Sequence, residues 1–216
     1  MRGYSDKVMR VLREMEASPE FPGTTLEPTL TFLFWWTLQN KPKRVLQLGT
    51  LMGYSALVIA DALEFDGHLT TVDIDARKLE LAEMYARKSG LDQVISIIHG
   101  DSLDPAVIAE LREDGPYDLI YLDTSHYYDN TRAELAAYAS YPGIMHGASL
   151  FVLHDTSVLA QDWDVTHKGG VRRALREFER NRDARLGLQV TWFDPPMYAD
   201  TSGMALIYAD RSQSQG

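Results

Sequence analysis

The side chains best suited to chemistry stand at the ends of two short apolar runs. Tyr117-Asp118-Leu119-Ile120-Tyr121-Leu122 leads into Asp123, with His126 three residues on; Ser149-Leu150-Phe151-Val152-Leu153 leads into His154-Asp155-Thr156. Each run has the length of a buried strand. Ligands in open α/β sheets bind beyond the carboxyl ends of the strands, and Asp123 occupies such an end. The oxygens of Asp155 suit a hard cation, whereas the imidazole of His154 does not. An imidazole has an unperturbed pKa near ~6.5, so His126 or His154 can take a proton from a hydroxyl at neutral pH. The residues themselves do not choose between the two.

These groups need a frame, and the stretch from Val45 to Ala60 is its centre. Val45, Leu46 and Leu48 form a short strand, Gly49 and Gly53 space a turn, and Ala56, Ile59, Ala60 and Leu63 recur at helical spacing. Glycine permits positive φ and close approach of a ligand, and the helix start behind it presents unpaired N–H groups. The spacing is wrong for a pyrophosphate. A dinucleotide loop needs G-x-G-x-x-G, yet position 51 is Leu, and the Gly-Lys-Ser/Thr of a phosphate loop is missing. About twenty residues further on, Gly67 to Asp73 reads as a turn followed by a second strand with Asp73 near its end, where a βαβ nucleotide fold places a carboxylate on ribose hydroxyls. Asp75 reads as the cap of the following helix. Ile95 to His99 is a third strand, closed by Gly100-Asp101-Ser102.

The remaining segments fill in a sheet with helices. Asp6 to Met15 has an amphipathic stripe, Val8, Met9, Val11, Leu12 and Met15, expected to form a lid or an oligomer surface. Pro22-Gly23 breaks the chain, and a helix from Leu26 to Gln39 carries Phe32, Trp35 and Trp36, expected to lie in the core. Arg172 to Arg180 is a helix whose arginines read as solvated rather than substrate-binding. Leu188 to Phe193 and Met204 to Tyr208 are the last two strands, joined through Asp194-Pro195-Pro196.

Taken together, Pro42-Lys43-Arg44, the Val45–Ala60 loop and Thr70 to Asp75 resemble motif I of the class I S-adenosylmethionine-dependent O-methyltransferases, and the resemblance covers about residues 26–208. It implies an α/β, Rossmann-like fold with a seven-stranded, mostly parallel sheet, one antiparallel strand and helices on both faces. It also implies a methyl-donor site of Gly49, Thr50, Gly53, Tyr54, Ser55, Asp73, Asp101, Ser102 and Asp123, with Asp73 on the ribose and Asp101 on the adenine amine. Asp123, Asp155 and His154 would hold a Mg2+-like cation, and His126 or His154 would be the base. The Asp-x-x-His at Asp123 to His126 resembles the cephalosporin-hydroxylase-like and macrocin-type sugar methyltransferases, since the catechol and caffeoyl-coenzyme A enzymes carry Lys where this chain has His126. A sugar or polyol acceptor is therefore expected, against an aromatic rim of Tyr127, Tyr128, Trp163, Trp192 and Tyr198, with a catechol or phenol as the alternative.

Composition narrows the classes. The 216 residues with 45% hydrophobic content suffice for one α/β domain: an N-terminal helical extension over 1–40, a donor-binding catalytic domain over 41–210 and a polar tail over 211–216. A net charge of −10 argues against a nucleic-acid partner, and the Phe32–Trp36 cluster is too short for a membrane span. The lack of cysteine fits a cytoplasmic protein, and the first helices suit a homo-oligomer. A nicotinamide reductase would need the dinucleotide glycines, and short-chain members also need Tyr-x-x-x-Lys, which none of the eleven tyrosines supplies. A non-catalytic binding domain would be favoured if Asp123, His126 and Asp155 failed to converge.

Overall fold

Ser5 sets the first helix. Its hydroxyl accepts from Val8 N at 3.3 Å, and α1 (Asp6–Glu16) buries Val8, Val11, Leu12 and Met15 along one stripe. In this computed structural model, which describes residues 3–21, 27–139, 143–181, 187–195 and 201–209, that stripe lies against α3 (Tyr54–Ala62) and α4 (Ala76–Ser89). The face expected to serve as a lid or an oligomer surface is thus covered by the chain's own helices. Ser5 N donates to Asp61 at 2.6 Å, and Arg77 bridges to Glu20, which pin both ends of the segment.

The second helix corrects an expectation. In α2 (Glu27–Asn40) the buried side chains are Thr29, Leu30, Leu33, Phe34 and Thr37, one face at three-to-four spacing, while Phe32, Trp35 and Trp36 are half-buried beside it. Pro22, Gly23 and Leu26 lie outside the described residues, as do Pro196, Tyr198 and the tail from Arg211 to Gly216.

Three parallel strands follow: β1 (Arg44–Leu48), β2 (His68–Asp73) and β3 (Ile95–His99), with Val45 opposite Leu69 and Leu69 opposite Ile95. β1 and β2 are buried along most of their length, as strands covered on both faces are, whereas the edge strand β3 buries only Ile95. Asp75 caps α4 as expected, accepting from Arg77 N at 3.0 Å and Lys78 N at 3.2 Å. The cap of α5 (Pro105–Asp114) is Asp104, accepting from Ala106 N at 2.8 Å, which leaves Asp101 to the preceding turn.

Beyond α5 come β4 (Tyr117–Leu122), α6 (Tyr128–Tyr138), β5 (Met145–His154), a 3-10 turn at Leu159–Trp163, α7 (Gly170–Asn181), β6 (Leu188–Phe193) and β7 (Met204–Ala209). The sheet has seven strands in the order β3-β2-β1-β4-β5-β7-β6. β7 is antiparallel to both β5 and β6, as expected of the final segment. β5 starts four residues earlier than the apolar run at Ser149 suggests, because Met145 pairs with Tyr117 ahead of a register shift. Contacts divide the chain into two compact units, Met1–Asp101 and Ser102–Gly216, with the N-terminal helices counted among β1 to β3 in the first. Among the described residues no helix is long and apolar enough to cross a membrane.

Candidate active site

In the first unit, the loop after β1 is wound through three positive φ angles, 93° at Gly49, 48° at Leu51 and 87° at Gly53. A side chain at Gly53 would be strained by that φ and would bring a Cβ to 3.2 Å from Ala82 Cβ, so glycine is required there for both reasons. Asp73 braces the loop. Its Oδ2 accepts from Leu51 N at 2.7 Å and its Oδ1 from Asp75 N at 2.9 Å, so one carboxylate at the end of β2 fixes the non-glycine residue held at positive φ. Thr50 and Ser55 face inward. The Thr50 hydroxyl meets that of Thr71 at 2.7 Å, and Gln47 Nε2 donates to Ser55 Oγ at 2.9 Å and to Gly49 O at 2.8 Å. Tyr54 donates its hydroxyl to Glu16 of α1. Of the expected donor contacts, Gly49, Gly53 and Asp73 shape the loop directly, while Thr50, Tyr54 and Ser55 support it through their side chains.

In the second unit four expected residues come together. Asp123 follows β4, and Tyr121, two residues earlier on the same strand face, donates its hydroxyl to Asp123 Oδ2 at 2.8 Å. His154 ends β5 and Asp155 follows it, both more than nine-tenths buried. His154 Nδ1 stands 3.3 Å from Asp123 Oδ1 and 3.1 Å from Asp155 Oδ1, while its Nε2 meets Ser202 Oγ at 2.9 Å. Asp155 is held at φ 59°, a left-handed geometry costly for a residue with a Cβ. Its Oδ2 lies 2.9 Å from Nδ1 of His126, at ion-pair distance without a linear N–H···O alignment. The Asp155 contact holds the His126 imidazole above the ordinary 6.5, burial works against it, and the charge of Asp123 adds to the rise.

Ligand atoms of Asp123, His154 and Asp155 all lie within 4.8 Å of one another, a spacing that a single divalent cation can bridge. A buried ring nitrogen that faces two carboxylate oxygens needs a proton or a cation between them. The donor set of two carboxylates and one imidazole fits such an ion, but it is softer than the all-oxygen shell of Mg2+. The buried hydroxyls of Ser125, two residues after Asp123, and Thr156, the residue after Asp155, have no hydrogen-bond partner among the described residues.

Supporting residues that the sequence did not single out hold this geometry. Glu134 of α6 is fully buried and accepts from Ser102 Oγ at 2.7 Å and Thr124 Oγ1 at 2.8 Å, which ties the residue after Asp123 to the loop after β3. The Ser102 hydroxyl, expected at the donor, is thus directed to Glu134. Asp164, also fully buried, accepts from Thr166 Oγ1 at 2.6 Å, Thr166 N at 2.9 Å, Gly170 N at 2.9 Å and Tyr128 N at 3.4 Å. One carboxylate therefore meets the first turns of both α6 and α7. Burial pushes its pKa up, yet those hydrogen bonds prevail and lower it to about 2.

The expected aromatic rim is split. Trp163 sits edge-on to His126 with ring centres 5.3 Å apart, Tyr128 donates its hydroxyl to Glu177 at 2.5 Å, and Trp192 lies under the guanidinium of Arg172 at 5.0 Å. Arg172 corrects the reading of a solvated helix. It is buried, with Nη1 donating to Thr156 O at 2.7 Å and to both oxygens of Asp194 at 2.9 Å.

With this geometry in view, the likeness to known proteins is specific. The family model described as O-methyltransferase matches residues 4–180. A catechol O-methyltransferase of Niastella koreensis is 27% identical over 207 residues, covering 94% of this chain and 90% of that protein. A caffeoyl-CoA O-methyltransferase of Stellaria longipes is 30% identical over 123 residues, 55% of this chain and 50% of its own. The crystal structure of the O-methyltransferase from Bacillus cereus with SAH superposes with a TM-score of 0.78 at 16% identity, covering 97% of this chain and 93% of that one. A match of the family model over most of the length, on a chain whose loop after β1 is wound on glycines and braced by a strand-end carboxylate, places it in the O-methyltransferase family of S-adenosylmethionine-dependent enzymes.

Proposed function

We propose that the protein transfers the methyl group of S-adenosylmethionine to a hydroxyl of a small acceptor, with a divalent cation at Asp123, His154 and Asp155. The observation that carries this reading is the convergence of those three residues with His126 at the ends of β4 and β5. The relatives from Niastella koreensis and Stellaria longipes, a catechol and a caffeoyl-CoA enzyme, favour a phenolic hydroxyl. So do the exposed apolar side chains Val158, Leu159, Trp163 and Val165 on the segment after Asp155, which suit a flat apolar body better than a hydrated sugar. A sugar or polyol acceptor is the second reading; it rests on His126 at the position where the catechol and caffeoyl-coenzyme A enzymes carry Lys.

In the reaction a carbon–oxygen bond forms as the carbon–sulfur bond of the sulfonium breaks in line with it, and the hydroxyl proton has to leave. A bound cation would supply a lowered pKa at the acceptor oxygen. Asp123 and Asp155 hold the negative charge that such an ion needs, Ser202 fixes the ring of His154, and His126 takes the proton. Gly49, Gly53 and Asp73 shape the donor loop of the first unit.

Labelled donor offered with a panel of catechols, phenolic acids and saccharides, before and after EDTA dialysis, tests the proposal. Cation-dependent methylation of phenols is expected. Saccharides turning over faster than any phenol would transfer the assignment to the second reading, and activity untouched by EDTA would remove the cation.

A further inference from the structure

Apart from the residues used above, the second unit contains an open cleft of about 760 Å³ between α7 and the end of β6. Arg172, Arg173, Arg176 and Arg180 line it against Glu179 and Asp194, which leaves it two positive charges in excess within a chain whose net charge is −10. Arg172, Arg176 and Arg180 recur every fourth residue and so form one row along α7, with Trp192 as the facing wall. The row is graded. Arg172 is buried and matched by Asp194, and Arg173 is paired with Glu177 at 3.1 Å. Arg176 and Arg180 are exposed, and among the described residues neither has a carboxylate at ion-pair distance. Arg176 instead rests over the Trp192 ring at 5.9 Å.

The closed end of the row adjoins the candidate active site along the chain. Arg172 donates to the carbonyl of Thr156, the residue after Asp155, and Val158 and Gln161 of the same segment line the cleft. From Arg172 to Arg180 the helix rises about 12 Å. A ligand lying along this face meets first a neutralised guanidinium beside the site, then the apolar surface of Val158 and Trp192, and finally the two exposed guanidiniums of Arg176 and Arg180, with Glu179 the carboxylate that shares the lining there.

We propose that this cleft binds the acid end of the acceptor, an oxyanionic carboxylate or phosphate carried on a flat hydroxylated body, with Arg176 and Arg180 as its recognition residues. This rests on the methyl-transfer reading for the identity of the ligand, but the binding itself can be measured without donor or metal. Guanidinium forks pair with planar oxyanions in two parallel hydrogen bonds, and Trp192 gives the ring of such a ligand a surface to stack on. The negative charge of the whole chain makes a local basic track more selective, because acids are repelled elsewhere.

The experiment is equilibrium binding to the full chain, read by tryptophan fluorescence, of 4-hydroxybenzoate, phenyl phosphate and the neutral 4-hydroxybenzyl alcohol. At least one acid is expected to bind about tenfold more tightly than the alcohol. The Arg176→Gln, Arg180→Gln double variant should bring that acid to the affinity of the alcohol, with the melting temperature as the check on folding. The fluorescence response should vanish in Trp192→Phe, where calorimetry still reads the affinity. The ranking of benzoate and phenyl phosphate assigns the oxyanion. Acids and alcohol binding alike, or an acid preference that survives the double variant, would overturn the proposal. Failure of every acceptor to be methylated while the acid preference stands would count against the methyl-transfer reading and leave the cleft assigned.

Discussion

Asp155 Oδ2 stands 2.9 Å from His126 Nδ1, so the carboxylate that would help to hold a cation also governs the protonation of the candidate base. His126 is held above 6.5 by that contact first, with burial opposing it. In the metal-free protein its ring should titrate above the ordinary histidine range by NMR, and Asp155→Asn should bring it down. A raised folded pKa gives a stabilisation complete below about 6.5 and lost as pH rises through the folded value. The gap in denaturation midpoint between wild type and Asp155→Asn should therefore narrow at alkaline pH; a constant gap would show that the pair does not titrate as a unit.

His154 should decide which cation binds. Two carboxylates with one imidazole favour Mn2+, Co2+ or Zn2+ over Mg2+. Calorimetry should show at least about a tenfold preference, with His154→Asp moving the site toward Mg2+ and Ser202→Ala weakening any imidazole-bound metal by about tenfold. Equal affinities for Mg2+ in wild type and His154→Asp would mean that the ring is not a ligand.

Asp164 predicts an acid-sensitive contribution to stability. Its folded pKa of about 2 lies below the 3.8 of a free aspartate, so the stabilisation is present above about pH 4 and lost as pH falls through 2. Relative to Asp164→Asn, the titrating part of the difference is about 2 kcal/mol at neutral pH. Urea unfolding of both proteins at pH 7 and pH 2.5 measures it, and a difference independent of pH would mean that folding does not lower the pKa of this carboxylate.

Asp73→Ala should weaken binding of S-adenosylhomocysteine by roughly 1.5–3 kcal/mol, through loss of charge-assisted acceptors and release of Leu51 N. Calorimetry reads this directly. Unchanged affinity would place the ribose elsewhere.

The sheet was legible in the sequence because its strands are short apolar runs closed by turn residues, and β1 to β4 fall within a residue of their expected limits. Asp123, His126, His154 and Asp155 were legible because strand-end polar residues after buried runs have few structural uses. Ser202, Asp164 and Glu134 were not. Each acts on a partner 32 to 48 residues away, or at the starts of two helices at once, and no local spacing encodes such pairings. Tyr121 was within reach, since strand alternation puts it on the face of Asp123. The misassigned core of α2 has a plain cause: a helix apolar nearly all round offers no polar face from which to choose its buried side.

The position of β7 between β5 and β6 has a consequence for biosynthesis. β6 has β7 as its neighbour in the sheet, and β7 comes after it in the chain. β1, β2 and β3 can be laid down in the order of their translation, whereas β6 must wait with its edge unpaired until Met204–Ala209 arrives. That same late segment is preceded by Ser202, the partner of His154 Nε2. During synthesis the glycine loop can thus take its shape before Ser202 is made, whereas the ring of His154 gains its Nε2 partner only once the chain has been extended 48 residues beyond it.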